Sequence, residues 1–430
     1  MNPSAGSVTR AVDVLTVTYL LLLIAETVVL SRWLMRGVQP GTYSVYSLPY
    51  WRKWLADTLF NIALVVLHPL FATVYVGSFY RMLGARIGRG AEISTASNVT
   101  HTMLTIGEGS FIADAVTLGE SEVRGYRFIL EPTTIGANTF VGNSANVPQG
   151  AHLPGGILLG VLSQAPDPQA LRDQPNTDWF GSPAIALPRR QASQVFDPGL
   201  TFRPSRSRWL ARAVFEAFRI LLPQSAVLTF SVLFISYTTE LVTTEPWYVA
   251  APLVPVYYLA FIGLPAYALT VLLKWLTVGR TRRESLPIYS FRVWRSEAVT
   301  TTYEALAIPY LLEFMLGTPW LPVLLRLLGT TIGRRVYLNT TDITEPDLVR
   351  IGDDAMLNEG SGPQTHLFED RVMKTGPVVI GARASIGARS IVLYDSEIGH
   401  DAKLDPLSLV MKGETLAPET QWTGSPVRPK

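Results

Sequence analysis

An aliphatic residue returns every six positions over two long stretches of the chain, and neither a helix nor a hairpin sheet has that period. After Leu83 and Gly84 the series runs Ile87, Ile93, Val99, then Ile106, Ile112, Leu118, then Ile135, Val141, Val147, Leu153 and Leu159. Glycine follows at Gly88, Gly107, Gly119, Gly136, Gly142 and Gly160. A second series runs Ile332, Leu338, Ile351, Leu357, Ile380, Ile386, Val392, Ile398, Leu404, Val410 and Leu416, with Gly333, Gly352, Gly381, Gly387 and Gly399. Helices space apolar residues three and four apart and half-buried strands two apart. Hexads instead mark a parallel β-helix, in which the aliphatic side chain fills a prism-shaped core and Gly or a small polar residue turns the corner.

The two series align with each other. Ile332, Ile351 and Ile380 each fall 245 positions after Ile87, Ile106 and Ile135, and Arg326 falls 245 after Arg81. Both close on a similar motif, Trp179–Ala184 and Trp422–Val427. The chain therefore reads as a duplicated module: spanning helix or helices, a Trp-Arg pair (Trp51-Arg52; Trp294-Arg295), a Pro-broken amphipathic segment, then a β-helix. The expected limits are 1–82 for the first helical part, 83–190 for the first β-helix and 191–208 for a linker. The second helical part takes 209–328 and the second β-helix 329–430. Gln164–Asn176, rich in Pro, Asp and Gln, reads as a surface loop.

Three apolar runs are long enough for a hydrocarbon core, which needs about 20 residues: Val12–Leu30, Ala213–Leu241 and Tyr248–Leu276. The first follows a single Arg, passes signal-peptide length and lacks a small-residue cleavage site, so it reads as a retained anchor. The connection Thr238–Trp247 carries Glu240 and Glu245 and no Lys or Arg, whereas the outer flanks carry Arg203, Arg206, Arg208, Arg212, Lys274, Arg280, Arg282 and Arg283. The positive-inside rule places that connection outside, so the chain is expected to be integral to the cytoplasmic (inner) membrane with both β-helices facing the cytoplasm. Trp54–Tyr80 and Ala298–Leu328 are apolar but broken by Pro69 and by Pro309, Pro319 and Pro322. They are expected to be half-helices or interfacial helices.

Composition agrees with a membrane protein. Of the 430 residues 48% are hydrophobic and only 16% charged. Thirty-six basic against 34 acidic side chains leave a net charge of +2, too little for a nucleic-acid partner. The chain has no cysteine, which excludes disulfides, thiolate nucleophiles and Cys-ligated metal, and no other metal set is expected.

Three segments carry a family resemblance: Ile332–Glu345 (IGRRVYLNTTDITE), Gln364–Lys374 (QTHLFEDRVMK) and Ser408–Glu414 (SLVMKGE). With them the chain resembles the membrane-bound C-terminal region of ε-poly-L-lysine synthetase-type nonribosomal peptide synthetases. Ile93–Thr95, Ser110–Asp114 and Val141–Ala145 are similar to the preceding repeat of that region. The resemblance implies a mixed fold with two left-handed hexapeptide β-helix domains, each preceded by transmembrane and amphipathic helices. It also implies an acyltransferase-like condensation forming amide bonds between a carrier-bound aminoacyl thioester and an amino acid or growing polyamino-acid chain. No cofactor is expected to stay bound; the thioester donor, on a phosphopantetheine carrier or CoA, is a substrate. The chain shows no adenylation or carrier domain, and two β-helices where the family suggests three, so adenylation and carrier domains or proteins are the expected partners, beside membrane lipid. A homo-oligomer is left open, since β-helix acyltransferases generally place their site between neighbouring prisms.

Aminolysis of a thioester needs a base near neutrality, the range of histidine. His366 lies in an insertion between hexads, where β-helix acyltransferases place their base, with Glu369 and Asp370 as carboxylates to orient its ring. It is the expected catalytic residue. The 245-residue offset puts Ser121 at the equivalent place, so the first module is expected to shape a groove rather than react. His101 is the second candidate; His68, His152 and His400 read as structural or solvated. Asn358, Glu359, Gln364, Thr365, Arg371, Lys374 and Lys412 are the expected substrate-binding set, the lysines for a phosphate arm or a carboxylate. Ser163, Ser390 and Ser408 lack a nucleophile-elbow context. Glu26 and Glu216 are acids within or beside apolar runs. The alternatives are an acetyl-CoA-dependent O- or N-acetyltransferase acting on an envelope sugar or lipid headgroup, and a non-catalytic scaffold or export conduit.

Overall fold

The computed structural model describes residues 5–187 and 196–430; the end of the first expected β-helix (188–190) and the start of the expected linker (191–195) lie outside them. The chain divides into two compact units, one of Val17–Glu216 and the other chiefly of Ala217–Lys430. Among the described residues, three helical stretches are long and apolar enough to cross a membrane: Val14–Met35, Arg206–Thr244 and Trp247–Thr277. They coincide with the three expected runs. The acidic connection is shorter than expected, because the helix continues to Thr244 and the next begins at Trp247.

Helix α1 (Ala5–Met35), which belongs to the first unit from Val17 onward, leads through a short strand, Gly41–Ser44, to helix α2 (Leu48–Leu67). Pro69 lacks an amide proton and stops α2, giving a 3₁₀ turn, His68–Leu70, before a last helix, Val76–Leu83. That helix ends at Gly84 in the left-handed region (φ 113). From it Arg81 reaches forward, donating to the carbonyls of Ile87 (3.0 Å) and Gly88 (3.1 Å), so the helix end ties down the open edge of the first coil.

The hexads then stack. Ile87, Ile106, Ile135 and Leu153 are in register in one parallel sheet, Ile93, Ile112, Val141 and Leu159 in a second, and Leu118 pairs with Val147 in a third. Every one of these side chains is buried. Their separation from water is the main stabilisation of the prism, at roughly 1.5–3 kcal/mol each. Corners need glycine because coils approach backbone to backbone: a Cβ at Gly107 would lie 2.4 Å from the amide nitrogen of Ala137.

The second unit repeats this design. Gly329 (φ 114) ends the helix Trp320–Leu327, and Arg326 donates to the carbonyls of Ile332 (3.1 Å) and Gly333 (2.6 Å). Ile332, Ile351, Ile380, Ile398 and Leu416 are in register in one sheet, and Leu338, Leu357, Ile386, Leu404 and Trp422 in another. Their core continues into Leu312, Leu321, Leu325 and Leu328 of the Pro-broken segment. That segment is a helix, Phe291–Thr302, a π-turn, Tyr303–Ala307, and short helical pieces up to Leu327.

Both insertions between hexads fold as β-hairpins. Glu122–Arg124 and Arg127–Leu130 pair around Gly125 and Tyr126, and His366–Glu369 and Val372–Thr375 around Asp370 and Arg371. Both central residues of each turn have positive φ, the type I′ geometry that matches strand twist. A strand from before the amphipathic segment completes each sheet, Gly41–Ser44 on the first hairpin and Glu284–Pro287 on the second.

Candidate active site

His366 opens the second hairpin, and the pleat decides which neighbours it meets. Successive strand side chains point to opposite faces, and directly paired residues share a face. The register pairs His366 with Thr375, Phe368 with Met373, Leu367 with Lys374 and Glu369 with Val372. His366 and Phe368 therefore share one face, their rings edge to face at 5.7 Å, while Glu369 and Lys374 occupy the other. Asp370 stands at the turn, at the far end of the hairpin from His366. Neither Glu369 nor Asp370 is the carboxylate on the His366 ring.

That carboxylate is Glu345. Its Oε2 lies 2.8 Å from His366 Nδ1, and the two side chains are 3% and 10% exposed. The same oxygen accepts hydrogen bonds from the hydroxyls of Thr365 and Thr344. Burial raises the Glu345 pKa, but the His366 charge and the hydrogen bonds from His366, Thr365 and Thr344 outweigh it and hold it below the ordinary value. The second oxygen, Oε1, is buried without a hydrogen-bond partner, as is Gln364 Oε1. Both are acceptors that a ligand donor or a water could satisfy. Nothing in the local sequence around His366 marks Glu345; it comes from one coil away, beside the 3₁₀ turn Pro346–Leu348. The available signal is that Glu345 closes a Thr-rich segment, Asn339–Glu345, that interrupts the hexads one coil before His366.

The opposite face holds an ion cluster. Glu369, 14% exposed, accepts from Lys374 (2.7 Å) and from Lys412. Burial raises its pKa, and the two ammonium groups more than offset this. Two cations share one carboxylate, so the expected pair Lys374 and Lys412 is brought together, on the face away from His366. Thr365 is wholly buried and acts on Glu345. Arg371 is buried at the turn, its carbonyl accepting from the Ile288 amide at 2.9 Å. Asn358 does not reach His366: its amide donates to the Ile386 carbonyl (2.7 Å), bracing the next coil, and Glu359 is exposed beside it at the corner.

The other candidates are structural in form. His101 packs edge-on against Phe60 (4.6 Å) and Tyr80 (4.7 Å), and burial, reinforced by Lys53, pushes its pKa down to about 3, so it is neutral near pH 7. Glu216 accepts from Arg212 (2.6 Å) and from the Val74 amide (2.7 Å), while Arg212 also binds Glu92. Its carboxylate anchors the start of the second long helix. His152 is exposed on a strand, His68 lies in the helix break, and Glu26 is exposed on α1. His400, Asp401 and Glu419 have ligand atoms within 4.8 Å of one another, but all three are exposed and Asp401 is held by the Arg383 fork, the form of a corner ion pair rather than a metal centre.

No protein-family model matches the chain. The chain is 44% identical over 392 residues to delta-poly-L-ornithine synthetase of Acinetobacter baumannii (strain AB307-0294), covering 90% of this chain and 29% of that protein. Among solved structures, a hexapeptide-repeat acetyltransferase of Vibrio cholerae is 18% identical with a TM-score of 0.23, covering 26% of this chain and 78% of that one. A maltose O-acetyltransferase of Clostridium difficile 630 is 16% identical with a TM-score of 0.22, covering 39% and 86%. The chain thus spans less than a third of its curated relative's length, and over nine-tenths of its own it is similar to a polyamino-acid synthetase.

Proposed function

We propose that this chain is a membrane-anchored, acyltransferase-like condensation module that joins an aminoacyl thioester to an amino acid or growing polyamino acid, with His366 as general base. The observation that carries the reading is the buried His366–Glu345 pair. With Nδ1–H donating to the carboxylate, Nε2 is left as the acceptor. The incoming amine attacks the thioester carbonyl and gives its proton to Nε2, Glu345 stabilises the imidazolium, and the tetrahedral intermediate expels the thiol sulfur, which takes the proton from His366. An amide bond forms and a thioester bond breaks.

Glu345 Oε1 and Gln364 Oε1 supply acceptors for the acceptor's second amine or its amide protons. Lys374 and Lys412, which share Glu369 on the other face of the hairpin, leave one net positive charge there for a phosphate arm or a carboxylate. The 44% identity to a poly-ornithine synthetase supports the polyamino-acid product. The donor is a thioester on a phosphopantetheine carrier, with adenylation and carrier domains as partners. The module repeats twice, each left-handed β-helix behind its own membrane helices, and both β-helices face the cytoplasm, following the charge asymmetry of the flanks.

The test is to supply the detergent-purified chain with aminoacyl-pantetheine thioesters and acetyl-CoA in parallel, with ornithine or lysine as acceptor. Amide formation from the aminoacyl thioester, reduced about a hundredfold or more in His366→Ala, is the expected result. Full activity in that variant removes His366 as base, and turnover of acetyl-CoA alone makes the chain an acetyltransferase.

A further inference from the structure

Where α1 meets α2, the first unit carries an open groove of about 500 Å³, within the usual range of small-ligand clefts, ~300–1,000 Å³. Its walls are Trp33, Leu48, Trp51 and Leu55, its charged members are Arg36 and Arg52, and no carboxylate lines it among the described residues. Arg52 donates to the carbonyls of Leu34, Trp33 and Arg36, closing off the C-terminal end of α1. Arg36 is exposed. The groove thus joins an apolar trough to two guanidinium groups.

Its surroundings say what fills it. The groove begins at Trp33, within the last turn of a stretch, Val14–Met35, long and apolar enough to cross a membrane. Tryptophan and arginine at the end of a span are the residues that settle at the headgroup level. From the groove onward α2 has two apolar faces. Ala56, Phe60, Ala63 and Leu67 are buried in the unit, while Trp51, Leu55, Ile62 and Val65 form an exposed stripe at helical spacing. A stripe of this kind, continuous with a membrane span, lies against hydrocarbon. The second module keeps the Trp-Arg pair and uses it differently: Trp294 is buried and its indole donates to the Ile288 carbonyl at 2.9 Å.

We propose that the groove is a binding site for an anionic phospholipid, one acyl chain lying along Trp33, Leu48, Trp51 and Leu55 and the phosphate on Arg36 and Arg52. The exposed Arg36 guanidinium fork suits a phosphate, Arg52 adds charge and its Nη1 while its Nε and Nη2 stay on backbone carbonyls, and the absence of acid among the described lining residues gives the anionic headgroup its preference over a zwitterionic one. The site is independent of the acyl-transfer chemistry.

Native mass spectrometry of the full chain in detergent, titrated with phosphatidylglycerol or phosphatidylcholine, tests it. One phosphatidylglycerol per chain is expected to bind more tightly than phosphatidylcholine. Arg36→Gln should lower phosphatidylglycerol affinity roughly fivefold and leave phosphatidylcholine unchanged, and Arg36→Lys should retain most of the preference. Leu48→Trp, which fills the trough, should remove the adduct. Equal affinity for the two lipids, or an adduct insensitive to both Leu48→Trp and Arg36→Gln, overturns the proposal; Arg36 is exposed, so its variants fold whatever becomes of Leu48→Trp.

Discussion

The two hairpins are one framework used twice. Each leaves the β-helix after its second coil, turns through two residues at positive φ, and pairs with a strand from before the amphipathic segment. Their side chains differ. In the first hairpin Glu122, Val123, Arg124 and Tyr126 are exposed, whereas in the second His366, Leu367, Arg371, Val372 and Met373 are buried. Position 345 is Glu where the first module has Thr100, and position 366 is His where it has Ser121. The backbone therefore tolerates either a solvated hairpin or a buried ion-pair site. Which one forms depends on whether a carboxylate one coil away answers the histidine.

The largest expected effect of breaking this contrast falls on Glu345. Glu345→Gln keeps the shape and removes the charge, so amide formation should fall about a hundredfold. The pH–rate inflection of the base should also move to lower pH, because the anion that favours imidazolium is gone; a fall in rate with no movement would make Glu345 merely structural. Next come the corners common to both modules. Gly107→Ala and Gly381→Ala drive a Cβ to 2.4 Å and 2.6 Å of the neighbouring coil's backbone and should each cost about 3 kcal/mol, measurable by denaturant melts. Tolerance in one module alone would show that its coils can separate.

Smaller again is Glu369→Gln, which leaves Lys374 and Lys412 unanswered. It should cost about 2 kcal/mol, the loss of a buried pair discounted for partial exposure, while leaving the His366–Glu345 bond in place. The least effect is in pH dependence. Glu345 and Glu369 titrate below their ordinary value near 4.5 when folded, so the unfolded chain binds more protons and the second module loses stability as pH falls below that value. His101, held to about 3 by burial, works over a higher range. Its unfolded form takes a proton near 6.5, so the first module should weaken from there downward, and His101→Leu should flatten that slope in melts from pH 7 to 5.

Much of the site was legible in part. His366 was visible because histidine is scarce here and because an insertion interrupts the hexads. Nearness in sequence points to Glu369 and Asp370 as its partners, and nearness is a poor guide on a strand. Glu369 is three positions along and therefore on the opposite face; Asp370 is at the turn. Lys374 and Lys412, expected to meet a substrate anion, meet instead on the carboxylate of Glu369, a convergence of coils that no local pattern displays.

The residues alone determined the period-six core, because a side chain that must be buried once per face imposes its spacing on the chain. They also determined the three apolar helices, since length and hydropathy suffice for crossing a membrane, and the corner glycines, where backbone approaches backbone. Tertiary structure alone decided that Glu345, 21 residues before His366, lies against its ring. It also decided that His101 is a neutral core residue, and that the first Trp-Arg pair borders a groove while the second is packed away. Each of these depends on which side chains stacked coils and crossing helices bring within about 3–5 Å, a distance set by register and pleat rather than by order along the chain.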